Sequence, residues 1–133
     1  MDQTLALKIK EFESALRTLE EALAQPKNNL ARDSAIKRFE YTFELAWKTS
    51  KRLLAEQFGA DVFASKECFR ALRANQMLTD EEAELCLVMT DDRNEAVHTY
   101  SENFANELYE KISQAYVKIL RKIHSAVLSR VVF

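Results

Sequence analysis

The chain is 133 residues long, the size of one ordinary domain, with 47% hydrophobic residues, 30% charged residues and a formal net charge of −2. That balance excludes a protein that coats nucleic acid by bulk phosphate neutralisation, while leaving room for a local site that holds one or two phosphates. One Gly and one Pro leave little for sheets and tight turns, and no run approaches the roughly 20 unbroken apolar residues of a membrane span.

The first helix is written in Leu5, Ile9, Phe12, Leu16, Leu19 and Leu23, whose alternating steps of four and three make one apolar stripe. Glu11, Glu13, Arg17, Glu20 and Glu21 fill the other positions. The Met1–Lys10 segment mixes charge into its apolar residues and has no signal core, so a cytoplasmic location is expected. Pro26 stops this helix, and Asn28 or Asn29 can cap the next.

A second helix is expected from about Leu30 to Phe58. Ile36, Phe39, Phe43, Trp47 and Leu54 lie along one side, widened by Ala46 and Leu53. Gly59, the sole glycine, stands where a helix end needs a positive φ. Trp47, Phe39, Tyr41 and Phe43 could stack a base but are the usual content of a core. Lys48, Lys51 and Arg52 make a basic edge beside them, either a solvated face or a surface for phosphate or an acidic partner.

After a loop at 60–64, Ser65 can cap a third helix reaching about Ala74, with Cys68 and Leu72 inward. Thr79-Asp80-Glu81-Glu82 spells a capping box that opens a fourth helix, inward through Ala83, Cys86 or Leu87, and Met89. Ser101 caps a fifth, in which Phe104, Leu108, Ile112, Tyr116, Ile119 or Leu120, Ile123 and Val127 follow at helical spacing. The apolar tail Val131-Val132-Phe133 would pack on the body or on a partner chain. With no repeat, linker or low-complexity run, residues 1–133 should form one all-α domain, an antiparallel four- to five-helix bundle.

Cys68 and Cys86 have no second Cys or His at ligand spacing, and His98 and His124 are the only histidines. Both thiols are therefore expected free and buried, and neither a metal nor another cofactor is expected. His124 falls among Ile123, Val127 and Leu128, which suits a buried or dimer-facing residue better than a catalyst.

Chemistry concentrates at the end of the fourth helix, in R-N-E-A-V-H-T-Y, Arg93–Tyr100. Arg93 can grip a phosphate with a planar fork of donors. His98 can exchange a proton near neutral pH, and the Tyr100 hydroxyl can donate a hydrogen bond or accept a transferred group. At about 100° per residue, Arg93, Val97 and Tyr100 share one face, while Asn94, His98 and Ser101 share its neighbour. Asn94 is then the i, i+4 partner that could orient the His98 ring.

Arg93 and His98 diverge by about 140° in the same geometry. A shared target therefore needs a helix that ends near His98, or a second chain. A two-fold dimer would bring two copies of each into one cleft, one histidine acting as base and the other as acid. The plainer reading is that cations collect at a helix end because they offset its dipole. Asp91 and Asp92 would then be surface partners of Arg93, with Glu95 more exposed still.

The spacing Arg93-x4-His98-x-Tyr100 resembles the R-x4-H-x-Y signature of the HepT-type toxins of the HEPN (higher eukaryotes and prokaryotes nucleotide-binding) superfamily. Arg38–Lys48, R-F-E-Y-T-F-E-L-A-W-K, is similar to the second-helix signature of the nucleotidyltransferase substrate-binding proteins. Asp92-Arg93-Asn94 fits both groups, and the likeness runs from the first helix to about His124.

The resemblance implies a HEPN bundle that dimerises through the signature and cleaves RNA without a metal. In it Arg93 and His98 would be the catalytic pair, with Asn94 and Asp92 in support. It further implies a minimal nucleotidyltransferase antitoxin that transfers AMP from ATP to Tyr100. The alternative it leaves open is a non-catalytic subunit that presents substrate to a nucleotidyltransferase.

Overall fold

A computed structural model describes residues 3–98 and 101–131. The regular structure among them is helical: α1 (Gln3–Leu23), α2 (Asn29–Phe58), α3 (Ser65–Ala74), α4 (Asp80–His98), α5 (Glu102–Lys111) and α6 (Val117–Leu128). A π turn at Ile112–Tyr116 joins α5 and α6 into one rod. No helix among the described residues is long and apolar enough to cross a membrane.

The caps follow local chemistry. Asn28 caps α2 by accepting the Ala31 N–H at 2.8 Å. Gly59 ends that helix at φ 63°, and the Ala60 N–H turns back to the Leu54 carbonyl at 3.2 Å. The Thr79–Glu82 box closes both ways, at 2.8 and 3.1 Å, and Ser101 accepts from the Phe104 N–H.

Ser65 does not cap α3 as expected. Ala64 occupies the cap position with no side-chain bond, and Glu67 in the first turn reaches back to the Phe63 N–H at 2.7 Å. The carboxylate thus fastens the incoming chain to the first turn, without taking one of the first-turn donors that a serine cap would take. At the other end Gln76 takes φ 62°, so that its own N–H meets the Arg73 carbonyl and the Met77 N–H meets Leu72. This is a Schellman ending built without glycine.

α1 and α2 form an antiparallel pair. Phe12, Leu16 and Leu19 on one, and Phe39, Phe43, Leu53 and Leu54 on the other, are fully buried. Each such side chain contributes roughly 1.5–3 kcal/mol of transfer free energy. The rod packs against this pair through Leu108, Ile112, Tyr116, Leu120 and Ile123. α3 crosses between α2 and α4, bringing Phe69 edge-on to Phe43 at 5.9 Å. Cys68 and Cys86 are free and buried, and burial pushes both thiols up to about 12.

Polar groups fix how the helices meet. Arg32, 2% exposed at the start of α2, forks onto Glu102 of α5 at 2.7 and 3.4 Å, and reaches Asp33 and Asn106. Arg121 of α6 grips Glu13 and Glu20 of α1 at 2.6 and 2.5 Å. Val131 at the chain's end packs against the core, whereas the rest of the apolar tail lies outside the described residues.

Candidate functional site

α4 carries the candidate site on its last two turns. Arg93 does not pair with Asp91 or Asp92. Its Nη2 crosses to Glu44 Oε1 on α2 at 2.8 Å, and its guanidinium lies over the Phe43 ring, 5.4 Å from the centroid. Asp91 instead receives Lys66 at 2.6 Å. The Asp92 carboxylate takes the Tyr116 hydroxyl in a short hydrogen bond and Lys111 at 3.2 Å. The expectation that Asp91 and Asp92 would be surface partners for Arg93 is therefore overturned. Each is taken by a cation or hydroxyl from another part of the bundle, which leaves Glu44 as the carboxylate beside the guanidinium.

These contacts form a closed circuit. Arg93 rests on Phe43, Phe43 leans on Phe39 at 6.3 Å, and Phe39 stacks on Tyr116 at 5.6 Å. Tyr116 then returns to α4 through Asp92. The buried aromatic run of α2 thus serves as a foundation for the last turns of α4. Burial, and then the Asp92 carboxylate, push the Tyr116 hydroxyl well above the ordinary phenol range, so it stays a donor.

Glu44 was not singled out from the sequence, and it is the residue that links the two motifs. Burial would raise its carboxyl. Hydrogen bonds from Lys48 and Trp47 and the charge of Arg93 outweigh this and hold it below the ordinary carboxylate range. Its Oε1 accepts from both Arg93 and Trp47, the latter at 3.3 Å, and Oε2 meets Lys48 at 3.1 Å. The signal available was the acidic position inside Arg38–Lys48, one turn before Trp47 and Lys48.

Asn94 is exposed, and its amide oxygen accepts from Arg93 Nη1 at 3.4 Å. Among the described residues it meets Arg93 and not His98. His98 is exposed in the last turn of α4, and Val97 beside it is 51% exposed. The helix accordingly ends close to His98, and Ser101 already caps α5. Arg93 is directed inward across α2 while His98 faces solvent, so the two are not brought together within one chain. Tyr100 lies outside the described residues. An apolar groove floored by Ile36, Ala96, Phe104 and Leu108 adjoins this helix end.

His124 is buried, with its ring edge-on to Phe12 at 5.1 Å. Its Nε2 lacks a hydrogen-bond partner and sits 3.8 Å from Glu13. Burial holds its pKa below the ordinary value against the pull of Glu13. It lies on the far face of α6 and plays no part in the α4 site.

The family described as nucleotidyltransferase substrate binding protein like matches residues 7–128. A solved protein from Thermus thermophilus is 37% identical over 87% of this chain and 98% of its own, with a TM-score of 0.82. The Shewanella oneidensis HEPN toxin, solved tri-AMPylated and in complex with its MNT antitoxin, superposes with a TM-score of 0.80. It is 16% identical, over 98% of this chain and all of its own. A toxin–antitoxin structure with AMP-PNP gives 0.79 at 15% identity, over 98% of this chain and 100% of its own. At such identities the likeness establishes the fold. No curated protein sequence matches the chain.

Proposed function

The chain belongs to the nucleotidyltransferase substrate binding protein-like family, and from that premise we propose that it is the toxin of a two-gene toxin–antitoxin pair, a metal-independent endoribonuclease. The observation that carries this reading is the placement of Arg93. It is a guanidinium held near the surface by Glu44 and a ring face, five residues before an exposed His98.

Arg93 would bind the scissile phosphate and stabilise the charge that develops on it. His98 would move the proton of the attacking or leaving oxygen. Asn94 steadies the guanidinium through its amide oxygen, and Asp92 anchors the helix through Tyr116. Because Arg93 and His98 diverge, a complete site takes one helix end from each of two protomers. The exposed Val97 and the apolar groove beside α4 suit a homodimer paired there.

The partner would be a minimal nucleotidyltransferase antitoxin. AMP placed on Tyr100 would set negative charge beside the phosphate-binding Arg93 and exclude RNA. The tri-AMPylated toxin among the structural relatives supports this form of control.

The family's description is equally compatible with a second reading, a non-catalytic subunit that presents substrate to the nucleotidyltransferase. Expression without the partner separates the two. A ribonuclease arrests growth, and His98→Ala relieves the arrest. Unaffected growth, together with no RNA cleavage by purified protein, refutes the nuclease and leaves the subunit. After co-expression with the antitoxin and ATP, the peptide holding Tyr100 should gain the mass of AMP. An unmodified peptide overturns the control mechanism.

A further inference from the structure

Beyond the bond from Lys48 to Glu44, the basic edge of α2 has no role in the site described so far. Lys48, Lys51 and Arg52, with Lys8 of α1, line a groove whose remaining walls are Trp47 and Ala55. None of these lining residues is acidic, although the whole chain carries a net charge of −2. α1 is held against α2 here by the Thr49 hydroxyl, which donates to the Lys8 carbonyl at 3.4 Å. Just beyond, Phe63 is 74% exposed, and the Lys51 ammonium lies 5.8 Å from its ring centroid.

The groove is continuous with the α4 site through one side chain. Glu44 Oε1 accepts from both Arg93 Nη2 and Trp47 Nε1, and Oε2 meets the Lys48 ammonium. From Glu44 to Ala55 the helix rises about 16 Å, enough for a short stretch of single strand. Cations spaced along such a path meet successive phosphates, and ring faces between them stack bases with little regard for sequence.

We infer that this groove is a single-stranded RNA track that leads the substrate to Arg93. The inference rests on the nuclease reading and extends it. Lys8, Lys48, Lys51 and Arg52 contact phosphates, and Trp47, with Phe63 beyond it, offers a face to a base. An acidic protein surface could meet the same cations, but the link from Trp47 and Lys48 through Glu44 to Arg93 favours the strand that Arg93 would cleave.

Trp47 is the sole tryptophan, so its fluorescence reports on this groove alone. The test uses the full chain carrying His98→Ala, titrated with an unstructured single-stranded RNA oligonucleotide. RNA should quench Trp47. Adding Lys8→Gln and Lys51→Gln should weaken binding roughly tenfold at about 0.1 M salt and reduce the log–log salt slope by about 1.4, with an unchanged thermal midpoint.

Unquenched Trp47 together with unchanged affinity in the lysine variant overturns the track. If the chain with His98 intact still cleaves RNA in that case, the nuclease reading survives. Lysine-dependent quenching without cleavage by the chain with His98 intact refutes the nuclease and delivery to Arg93, and leaves the groove an RNA-binding surface only. Loss of co-purification with the nucleotidyltransferase at unchanged RNA affinity makes the groove a protein-binding surface and overturns the proposal.

Discussion

Arg32 and Arg93 both leave α2 or α4 to reach a carboxylate on another helix, and they do so to opposite ends. Arg32 is 2% exposed, and its three nitrogens are all engaged by Glu102, Asp33 and Asn106. The Arg93 side chain is 23% exposed, and its Nε is buried without a hydrogen-bond partner. A buried guanidinium with all its nitrogens paired is a lock between helices. One left short of partners can turn to a phosphate and lose little by doing so. Completeness of pairing, more than depth, separates Arg32 as a lock from Arg93 as the proposed phosphate ligand.

The largest expected effect falls on the lock. Arg32→Ala should lower the unfolding free energy by about 3 kcal/mol, since it empties a large buried site and strips several hydrogen bonds. Arg93→Ala should cost less than about 1 kcal/mol in the same urea titration, as befits a partly exposed pair. Equal losses would break the comparison.

Activity should invert that order. Arg93→Ala should reduce RNA cleavage by roughly 100-fold or more, the scale of losing one donor to a developing charge. Cleavage by folded Arg32→Ala protein, measured well below its unfolding midpoint, should change by less than about threefold, since Arg32 touches nothing in the site.

Glu44→Gln sharpens the contrast from the partner's side. It keeps a group that accepts from Trp47 but removes the charge that aligns Arg93. Cleavage should fall about tenfold, roughly 1.4 kcal/mol, with binding of RNA little changed. A loss as large as that of Arg93→Ala would place Glu44 in the chemistry itself.

The smallest effect concerns His124, whose Nε2 shares with Arg93 Nε the distinction of being buried without a partner. Its folded pKa is lowered, with Glu13 of α1 pulling against burial, Arg121 adding to it, and Glu20 alongside. The unfolded chain therefore binds more protons through the range below about 6.5, and stability falls as pH drops through it. Urea titrations at pH 7 and pH 5 should show a shallower decline for His124→Phe than for the native chain. Parallel declines would assign the acid sensitivity to the carboxylates.

Local chemistry made the helices legible. The α1 stripe, the Asn28 cap, Gly59, the Thr79–Glu82 box and the Ser101 cap each depend on residues within a turn or two of one another. Ser65 misled because the helix starts on it, with Ala64 at the cap position and Glu67 fastening the entry from inside the helix. The candidate site was harder, because its partners come from distant segments. Nothing near Asp92 announces Tyr116, and nothing near Arg93 announces Glu44. Spacing did reveal that Arg93 and His98 diverge, and the structure turns one inward to α2 and the other to solvent.

The π turn was legible in retrospect. Phe104, Leu108, Ile112, Tyr116 and Leu120 follow in unbroken steps of four, and on a straight α-helix each such step overshoots by about 40°. The wide turn at Ile112–Tyr116, where the Val117 N–H reaches back to the Ile112 carbonyl, takes up part of that drift.

It also marks the place where the rod can lose a residue and keep its frame. Removing one residue between 112 and 116 would close the turn into ordinary helix and leave the remainder nearly in place, because five residues at π pitch and four at α pitch both turn through about 400°. Arg121 would keep Glu13 and Glu20, and His124 would keep Phe12. One residue lost elsewhere in α5, or early in α6, would instead rotate everything after it by about 100°, so in this rod a one-codon loss should be tolerated at the wide turn and rare outside it.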